Sequence, residues 1–108
     1  MPPEAAAQRT WFVYLLLCRN GRLYTGVTVD LAARFEQHRS GKGAMFTRIN
    51  KPERMLAATP CGDRSAALKL EASIKRLPAP DKRMLARQWP LQEPIAQIRE
   101  SPLPPGEG

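Results

Sequence analysis

The sequence predicts an α+β domain in which a three-stranded antiparallel sheet is flanked by helices, in the order ββαβαα. Three observations predict it: an Asn-Gly pair between two apolar runs, a third apolar run near mid-chain, and helical patterns behind two aspartates. The predicted folded part is residues 10–89, one domain. A domain of this size buries only roughly 60% of its unfolded surface. It has little room for a deep cavity, so we expect no organic cofactor.

The first two strands are predicted from "TWFVYLLLC" and "RLYTGVT", the first apolar on both faces and therefore typical of a central strand. The Asn-Gly pair predicts a hairpin between them. A two-residue loop pairs Leu17 with Tyr24 and puts Tyr14 and Tyr24 on opposite faces. A three-residue loop, with Gly21 left-handed, pairs Leu16 with Tyr24 and puts both tyrosines on one face. We expect the three-residue loop.

Aspartates mark the starts of two helices. Asp30 is a predicted N-cap for "LAARFEQHR", which Gly41 ends, and Asp63 is one for "RSAALKLEASIKRL", which Pro78 closes. "RMLAATPC" is a predicted third strand and "APDKRMLARQW" a last helix. The remaining segment, "GKGAMFTRINKPER", is expected to be a basic loop and lacks the spacing of a Walker motif.

Positive charge is concentrated in the predicted folded part. Residues 10–89 hold 15 of the 17 Lys and Arg residues and 6 of the 10 Asp and Glu residues, a difference of +9. Such a surface attracts nucleic acid by counterion release, although a merely soluble basic surface is the alternative. No segment pairs a basic face with exposed aromatic residues, so no membrane partner is expected. Segments 1–9 and 90–108, the second rich in proline, are expected to be weakly ordered.

The cysteines favour a reducing compartment. Cys18 and Cys61 are far apart, and with a single histidine they cannot supply the four ligands of a structural zinc site. No stretch resembles a signal peptide or is long enough to span a bilayer. We expect a cytoplasmic protein with reduced thiols.

Polar residues that could take part in catalysis or binding lie on both long helices. Arg34 and His38 are one turn apart on the apolar stripe of the first helix, and Glu71 lies beside the stripe of the second. Each has a plain alternative: a solvated charge for Arg34, a surface position for His38, and an i,i+4 pair with Lys75 for Glu71, worth about 0.3–0.5 kcal/mol. The two tyrosines could equally be ordinary strand aromatics.

The motifs Phe12-Val13-Tyr14 and Tyr24-Thr25-Gly26 resemble those of the GIY-YIG nuclease superfamily. The first keeps only the tyrosine, and the second keeps the tyrosine and the glycine. Arg34 and Glu71 follow in matching order, so the resemblance spans nearly all of residues 10–89. With "GKG" and "GDRSAAL", the chain is most similar to the small stand-alone bacterial members.

The resemblance implies a metal-dependent endonuclease that hydrolyses phosphodiester bonds. Carried over to this chain, it implies that Tyr24 is the base, or part of the base, that activates water, and that Tyr14 positions the water or the scissile phosphate. It assigns charge stabilisation on the phosphate to Arg34 and a single Mg²⁺ or Mn²⁺ ion to Glu71. His38 receives an auxiliary catalytic role.

The chemistry of phosphodiester hydrolysis suits these residue types. A guanidinium and a metal ion stabilise the charge that develops on the phosphate oxygens. A free tyrosine titrates near pH 10, and cations such as Arg34 and the metal are expected to lower that pKa. Two departures stand out: Val27 replaces a lysine common in the family, and no asparagine occurs beyond Asn50. Lys42 and Arg48 are expected to supply the missing charge and to bind substrate.

The expected partner is nucleic acid, DNA rather than RNA, cleaved with low sequence specificity and by shape, as in DNA repair or recombination. A nucleic-acid-binding module with this fold and little catalysis is the alternative. A third interpretation, an adaptor that binds proteins through the proline-rich tail, has only composition behind it.

Overall fold

A computed structural model describes residues 10–89. The elements, in chain order, are β1 (Trp11–Cys18), β2 (Leu23–Thr28), α1 (Leu31–Arg39), α2 (Met45–Ile49), β3 (Pro52–Cys61), α3 (Arg64–Lys75) and α4 (Ala79–Gln88). The predicted terminal segments, 1–9 and 90–108, lie outside the described residues. The predicted α+β class, with one three-stranded antiparallel sheet and flanking helices, is confirmed.

Strand β1 is the centre of the sheet, whose order is β2-β1-β3 with both pairings antiparallel. Its alternating residues are fully buried on both faces, Val13 and Leu15 on one and Tyr14 and Leu16 on the other. This explains why the run lacks polar alternation, since a strand covered on both sides needs apolar residues at every position.

The turn between β1 and β2 is the predicted three-residue loop. The amide N–H of Cys18 donates to the carbonyl of Arg22 at 2.8 Å, and the N–H of Gly21 donates to the carbonyl of Cys18 at 2.9 Å. Gly21 has φ of +85°, a left-handed conformation that glycine adopts without strain. The register therefore pairs Leu16 with Tyr24, as expected.

Both predicted N-caps are present. The carboxylate of Asp30 accepts from the N–H of Ala33 at 3.0 Å, and that of Asp63 accepts from the N–H of Ala66 at 2.8 Å. Helix α1 ends at Arg39, two residues before Gly41, whose φ is +85°. Helix α3 ends at Lys75, two residues short of the predicted end.

The segment expected to be only a loop contains helix α2. It has five residues and no side-chain cap at Ala44. A single turn shows too few residues for an apolar period to emerge, and its stability comes from tertiary packing instead of local propensity. The observed order is therefore ββααβαα, with Arg48 on a helix instead of in a loop.

The core joins the sheet to all three longer helices. Leu31 and Phe35 of α1, Ala67 and Ile74 of α3 and Ala86 of α4 are buried in one cluster with the strands. The two cysteines are not bonded to each other, and Cys18 is buried, whereas Cys61 is partly exposed.

Candidate active site

The hairpin brings the two tyrosines together on one face of the sheet. Tyr14 lies opposite Gly26 and Leu16 opposite Tyr24, so the tyrosines are diagonal neighbours, and their ring centroids are 6.3 Å apart. The two tyrosines therefore lie on the same face of the sheet, as the three-residue loop predicts. The loop length decides this arrangement, because a loop one residue shorter would turn Tyr24 to the other face.

Gly26 makes room for the phenol of Tyr14. A Cβ atom at position 26 would overlap with the hydroxyl and the ring of Tyr14. The ring therefore lies across β2 at the one position where that strand carries no side chain. The glycine of the second tyrosine motif thus has a steric role in orienting the tyrosine of the first.

His38 lies fully buried beneath these rings, so the alternative of a surface position on the helix is wrong. Its Nε2 atom is 2.7 Å from the hydroxyl oxygen of Tyr14, and its Nδ1 atom is 2.7 Å from Oγ1 of Thr47. The imidazole also packs against the ring of Tyr24, with centroids 5.0 Å apart. Both ring nitrogens are therefore hydrogen-bonded, which a buried imidazole requires.

Arg34, one turn before His38 on α1, approaches the same hydroxyl. Its Nε atom donates to the oxygen of Tyr14 at 3.4 Å, a long hydrogen bond, and its Nη1 atom donates to the side-chain oxygen of Gln37 at 2.8 Å. The guanidinium is half-buried. One phenol oxygen thus joins a cation near the surface to an imidazole in the interior.

Burial controls the ionisation of this group. It raises the pKa of Tyr14 to about 12, and the hydrogen bond and charge of Arg34 offset only part of that increase. Arg34 thus lowers the pKa of Tyr14 as expected, but burial has the larger effect, and the pKa lies above its ordinary value. Burial, with a further contribution from Arg34, lowers the pKa of His38 to about 4. Both groups are neutral at pH 7.

Glu71 reaches the site from α3. Its side chain is only 17% exposed, and its charge is close enough to disfavour the phenolate of Tyr14. Its carboxylate also lies 3.3 Å from Nζ of Lys75, so the plain i,i+4 pair is present as well. Within residues 10–89 no three His, Cys, Asp or Glu side chains gather into a metal-binding group. One carboxylate suits an Mg²⁺-type ion, which keeps several water ligands.

Lys42 and Arg48 have exposed side chains, and each belongs to a segment that contacts the site. The N–H of Lys42 donates to the carbonyl of Gln37 at 2.8 Å, just after α1. Arg48 is the neighbour of Thr47, which contacts His38. Both therefore present positive charge to solvent, on segments that adjoin α1 and the contact of Thr47 with His38.

Helix α2 contributes two residues that the sequence did not single out. Phe46 packs against Tyr24, with ring centroids 5.7 Å apart, and Thr47 is fully buried against His38. The only sequence signal for them was an aromatic residue and a small hydroxyl residue inside a basic segment. Nothing in a single turn indicates which side faces inward.

Comparison with known proteins identifies the architecture. Residues 10–84 match the family described as the GIY-YIG catalytic domain. The chain belongs to the GIY-YIG family. The first motif of this GIY-YIG domain is thus Phe12-Val13-Tyr14 and the second Tyr24-Thr25-Gly26, on paired strands.

Similar proteins are small bacterial chains, as the resemblance implied. A UPF0213 protein of Cupriavidus necator is 46% identical over 89 residues, which cover 82% of this chain and 97% of that protein. One from Xanthomonas axonopodis pv. citri is 51% identical over 72 residues, covering 67% and 71%. The solution NMR structure of a UPF0213 protein from Bacillus halodurans shares 36% identity with a TM-score of 0.46, covering 72% of this chain and 83% of that one.

None of the helices within the part of this GIY-YIG chain that the structure describes combines the length and apolar character that crossing a bilayer requires.

Proposed function

We propose that this GIY-YIG domain is a divalent-metal-dependent endonuclease that hydrolyses phosphodiester bonds in DNA with low sequence specificity. The observation that carries the proposal is the hydroxyl of Tyr14, which is bonded to both His38 and Arg34 on the face that also holds Tyr24. A proton acceptor and an anion-binding cation thus meet at one atom. That combination suits attack of water on a phosphate diester.

In this proposal the two phenols activate water together, but Tyr24 binds it and Tyr14 accepts its proton, which differs from the roles that the resemblance implied. Tyr24 is half-buried, and its side chain makes only ring contacts among residues 10–89, so its hydroxyl is available to bind the attacking water. Tyr14 has an imidazole to receive its proton. The water proton passes to the oxygen of Tyr14 as the phenol proton passes to Nε2 of His38. The hydroxide attacks phosphorus, and the bond to the leaving oxygen breaks.

Arg34 has two tasks in the proposed reaction. Its planar fork can contact two phosphate oxygens and stabilise the charge that develops on them. A bound phosphate would in turn neutralise the cation that helps to lower the pKa of His38. Substrate binding then makes His38 a better proton acceptor at the moment when it is needed.

Glu71 is the residue proposed to hold a single Mg²⁺ or Mn²⁺ ion, which would supply Lewis-acid stabilisation of the leaving oxygen. Its low exposure and its electrostatic effect on Tyr14 support this role. Lys75 would have to give up its 3.3 Å contact with the carboxylate. We therefore expect metal affinity to rise when Lys75 is replaced by methionine.

The proposed substrate is supported by charge. Residues 10–89 include 15 basic and 6 acidic residues, and this excess of positive charge attracts a polyanion. Lys42 and Arg48 are exposed on segments that adjoin the site. DNA with a distorted or branched shape, as arises in repair and recombination, is the proposed class. The proposed compartment is the cytoplasm, where the thiols of Cys18 and Cys61 stay reduced.

The test is cleavage of supercoiled plasmid and of branched DNA with Mg²⁺ or Mn²⁺. Glu71→Ala is expected to abolish cleavage and retain DNA binding. Glu36→Ala is a matched control, since Glu36 also forms an ion pair within a helix, with Arg39 at 3.0 Å, but its side chain is 59% exposed. Cleavage that survives Glu71→Ala as well as Glu36→Ala would refute the metal role.

A nucleic-acid-binding module without turnover is the second candidate. Two observations favour it: the carboxylate of Glu71 is already paired with Lys75, and Val27 stands where the family often has lysine. In that case the wild-type protein binds the branched DNA with strong salt dependence and leaves it intact under every metal tested.

A further inference from the structure

Thr47 contacts the edge of His38 that faces away from the tyrosines. Its Oγ1 atom lies 2.7 Å from Nδ1 of His38 and donates to the carbonyl oxygen of Ala44 at 2.9 Å. Thr47 and His38 are both fully buried, so water does not compete for these contacts. The proton positions along this chain therefore follow from what each atom can donate and accept.

The hydroxyl of Thr47 has one proton, and the carbonyl of Ala44 can only accept. With that proton directed to Ala44, the 2.7 Å contact requires a proton on Nδ1 of His38, accepted by the threonine oxygen. A neutral imidazole carries one ring proton. Nε2 is then the unprotonated nitrogen, and it faces Tyr14 at 2.7 Å.

The surroundings of Tyr14 lead to the same assignment independently. Its other polar neighbour is the Nε–H of Arg34, which can only donate. A proton on Nε2 of His38 would surround the phenol oxygen with two donors. The phenol proton would then have no acceptor within residues 10–89, in a side chain that is fully buried.

We infer that Thr47 is a positioning residue that holds His38 in the Nδ1-protonated tautomer, so that Nε2 can accept the proton of Tyr14. Gly43 belongs to the same arrangement, because a Cβ atom there would overlap with Nδ1 of His38. The segment from Gly43 to Thr47 thus supplies the close approach, the carbonyl and the hydroxyl that the Nδ1 edge needs. Helix α2 thus has a defined part in the site, although its residue Thr47 acts on the tyrosines only through His38.

The catalytic consequence rests on the proposed nuclease function, but the tautomer does not. Without the hydroxyl, a proton on Nδ1 has no acceptor, and this buried unpaired donor opposes the preference of the Tyr14 site for an unprotonated Nε2. His38 can then present Nε2–H to Tyr14 in part of the molecules. In these molecules the phenol loses its proton acceptor, whereas Arg34 and Tyr24 keep their positions. We therefore expect loss of turnover without loss of substrate binding.

The tautomer can be read directly, because His38 is the single histidine among the 108 residues. Protein with ¹⁵N-labelled histidine is examined at pH 7 by long-range ¹H–¹⁵N NMR. The wild type and Thr47→Ser are expected to show a protonated Nδ1 and an unprotonated Nε2. In Thr47→Val, which keeps the shape and removes the hydroxyl, the Nε2-protonated form is expected to appear beside the Nδ1-protonated form that the hydroxyl of Tyr14 still favours.

A wild-type spectrum with the proton on Nε2 overturns the inference, and so does a folded Thr47→Val protein with an unchanged spectrum. Should the valine variant fail to fold, the wild-type spectrum and the serine variant still decide the tautomer. In cleavage assays, Thr47→Val is expected to lower kcat at unchanged KM, since a positioned base contributes roughly 10²–10⁴-fold. Thr47→Ser is expected to stay within about threefold of the wild type.

The two proposals fail separately. A wild type that cleaves no nucleic acid refutes the nuclease function while its spectrum still supports the role of Thr47 in the tautomer. Cleavage that is equal in the wild type and Thr47→Val, with the tautomer changed as expected, overturns the positioning role and leaves the nuclease function intact.

Discussion

Nε2 of His38 and the hydroxyl oxygen of Tyr14 lie 2.7 Å apart, and both side chains are fully buried. Burial raises the pKa of Tyr14 to about 12 and lowers that of His38 to about 4, so the bond joins two neutral groups over a wide pH range. Moving the proton along it creates two charges in the interior. The charge of Arg34 lowers both pKa values, so it favours the phenolate of Tyr14 and disfavours the imidazolium of His38.

Replacing Tyr14 by phenylalanine is expected to reduce both stability and cleavage. The substitution leaves Nε2 of His38 buried without a partner, which costs about 1–3 kcal/mol of unfolding free energy. The proton acceptor is lost as well, so cleavage should fall by about 10²–10⁴-fold. Urea unfolding followed by circular dichroism and plasmid nicking rates measure the two effects.

Tyr24→Phe is the matched control for that experiment. The side chain of Tyr24 makes ring contacts but no hydrogen bond within residues 10–89. The substitution should therefore change the unfolding free energy of the protein by less than about 0.5 kcal/mol. Cleavage should still fall, because the hydroxyl is the proposed water ligand. Equal destabilisation by the two substitutions would contradict the different environments of the two phenols.

Acid should destabilise the fold through His38. Its pKa is about 4 in the folded chain and about 6.5 when unfolded, so the unfolded state takes up a proton first as the pH falls. This contribution to stability is present above pH 6.5 and is lost progressively down to about pH 4. It amounts to roughly 3 kcal/mol, at 1.36 kcal/mol per pKa unit.

Urea unfolding at pH 7, 5.5 and 4 measures this loss, with His38→Gln as the comparison. All other ionisable groups are the same in both proteins, so the difference between the two curves isolates the histidine. If the wild type and His38→Gln lose stability in parallel over this range, then His38 is not held neutral by the fold.

Much of this site was predictable because it depends on local rules. The apolar run of β1, the Asn-Gly turn and the pleat together decide that Tyr14 and Tyr24 share a face. Asp30 and the helical period put Arg34 and His38 one turn apart. The resemblance of the tyrosine motifs then indicated which of these side chains to propose as catalytic.

What escaped prediction depends on contacts between distant segments. The burial of His38 requires α2 to close over α1, and a five-residue helix has no period to reveal it. The role of Thr47 depends on a 2.7 Å contact across nine residues, which composition does not encode. The raised pKa of Tyr14 was missed because the depth of burial, which outweighs Arg34, is known only from the packed structure.

Gly26→Ala is expected to disturb the site by steric overlap. The new methyl group would overlap with the phenol of Tyr14, and overpacking of this kind costs about 1–3 kcal/mol. Cleavage should be lost because the phenol is displaced from His38. Gly62→Ala is the matched control, since a Cβ atom there meets nothing within 4 Å and the residue is exposed. Similar unfolding free energies for both alanine variants would argue against this packing role of Gly26.

Lys42 and Arg48 should act on DNA affinity alone. Both side chains are exposed, and neither contacts the tyrosines, so Lys42→Ala and Arg48→Ala should leave stability and kcat nearly unchanged. Each phosphate contact removed should lower the slope of log affinity against log salt by about 0.9. Fluorescence anisotropy with labelled duplexes at several salt concentrations measures that slope.

Lys69→Ala is the control, because Lys69 is exposed on α3 two residues before Glu71 and so points to the other side of that helix. A slope that falls equally in all three variants would mean that DNA contacts the basic surface at large and has no preferred path past Lys42 and Arg48.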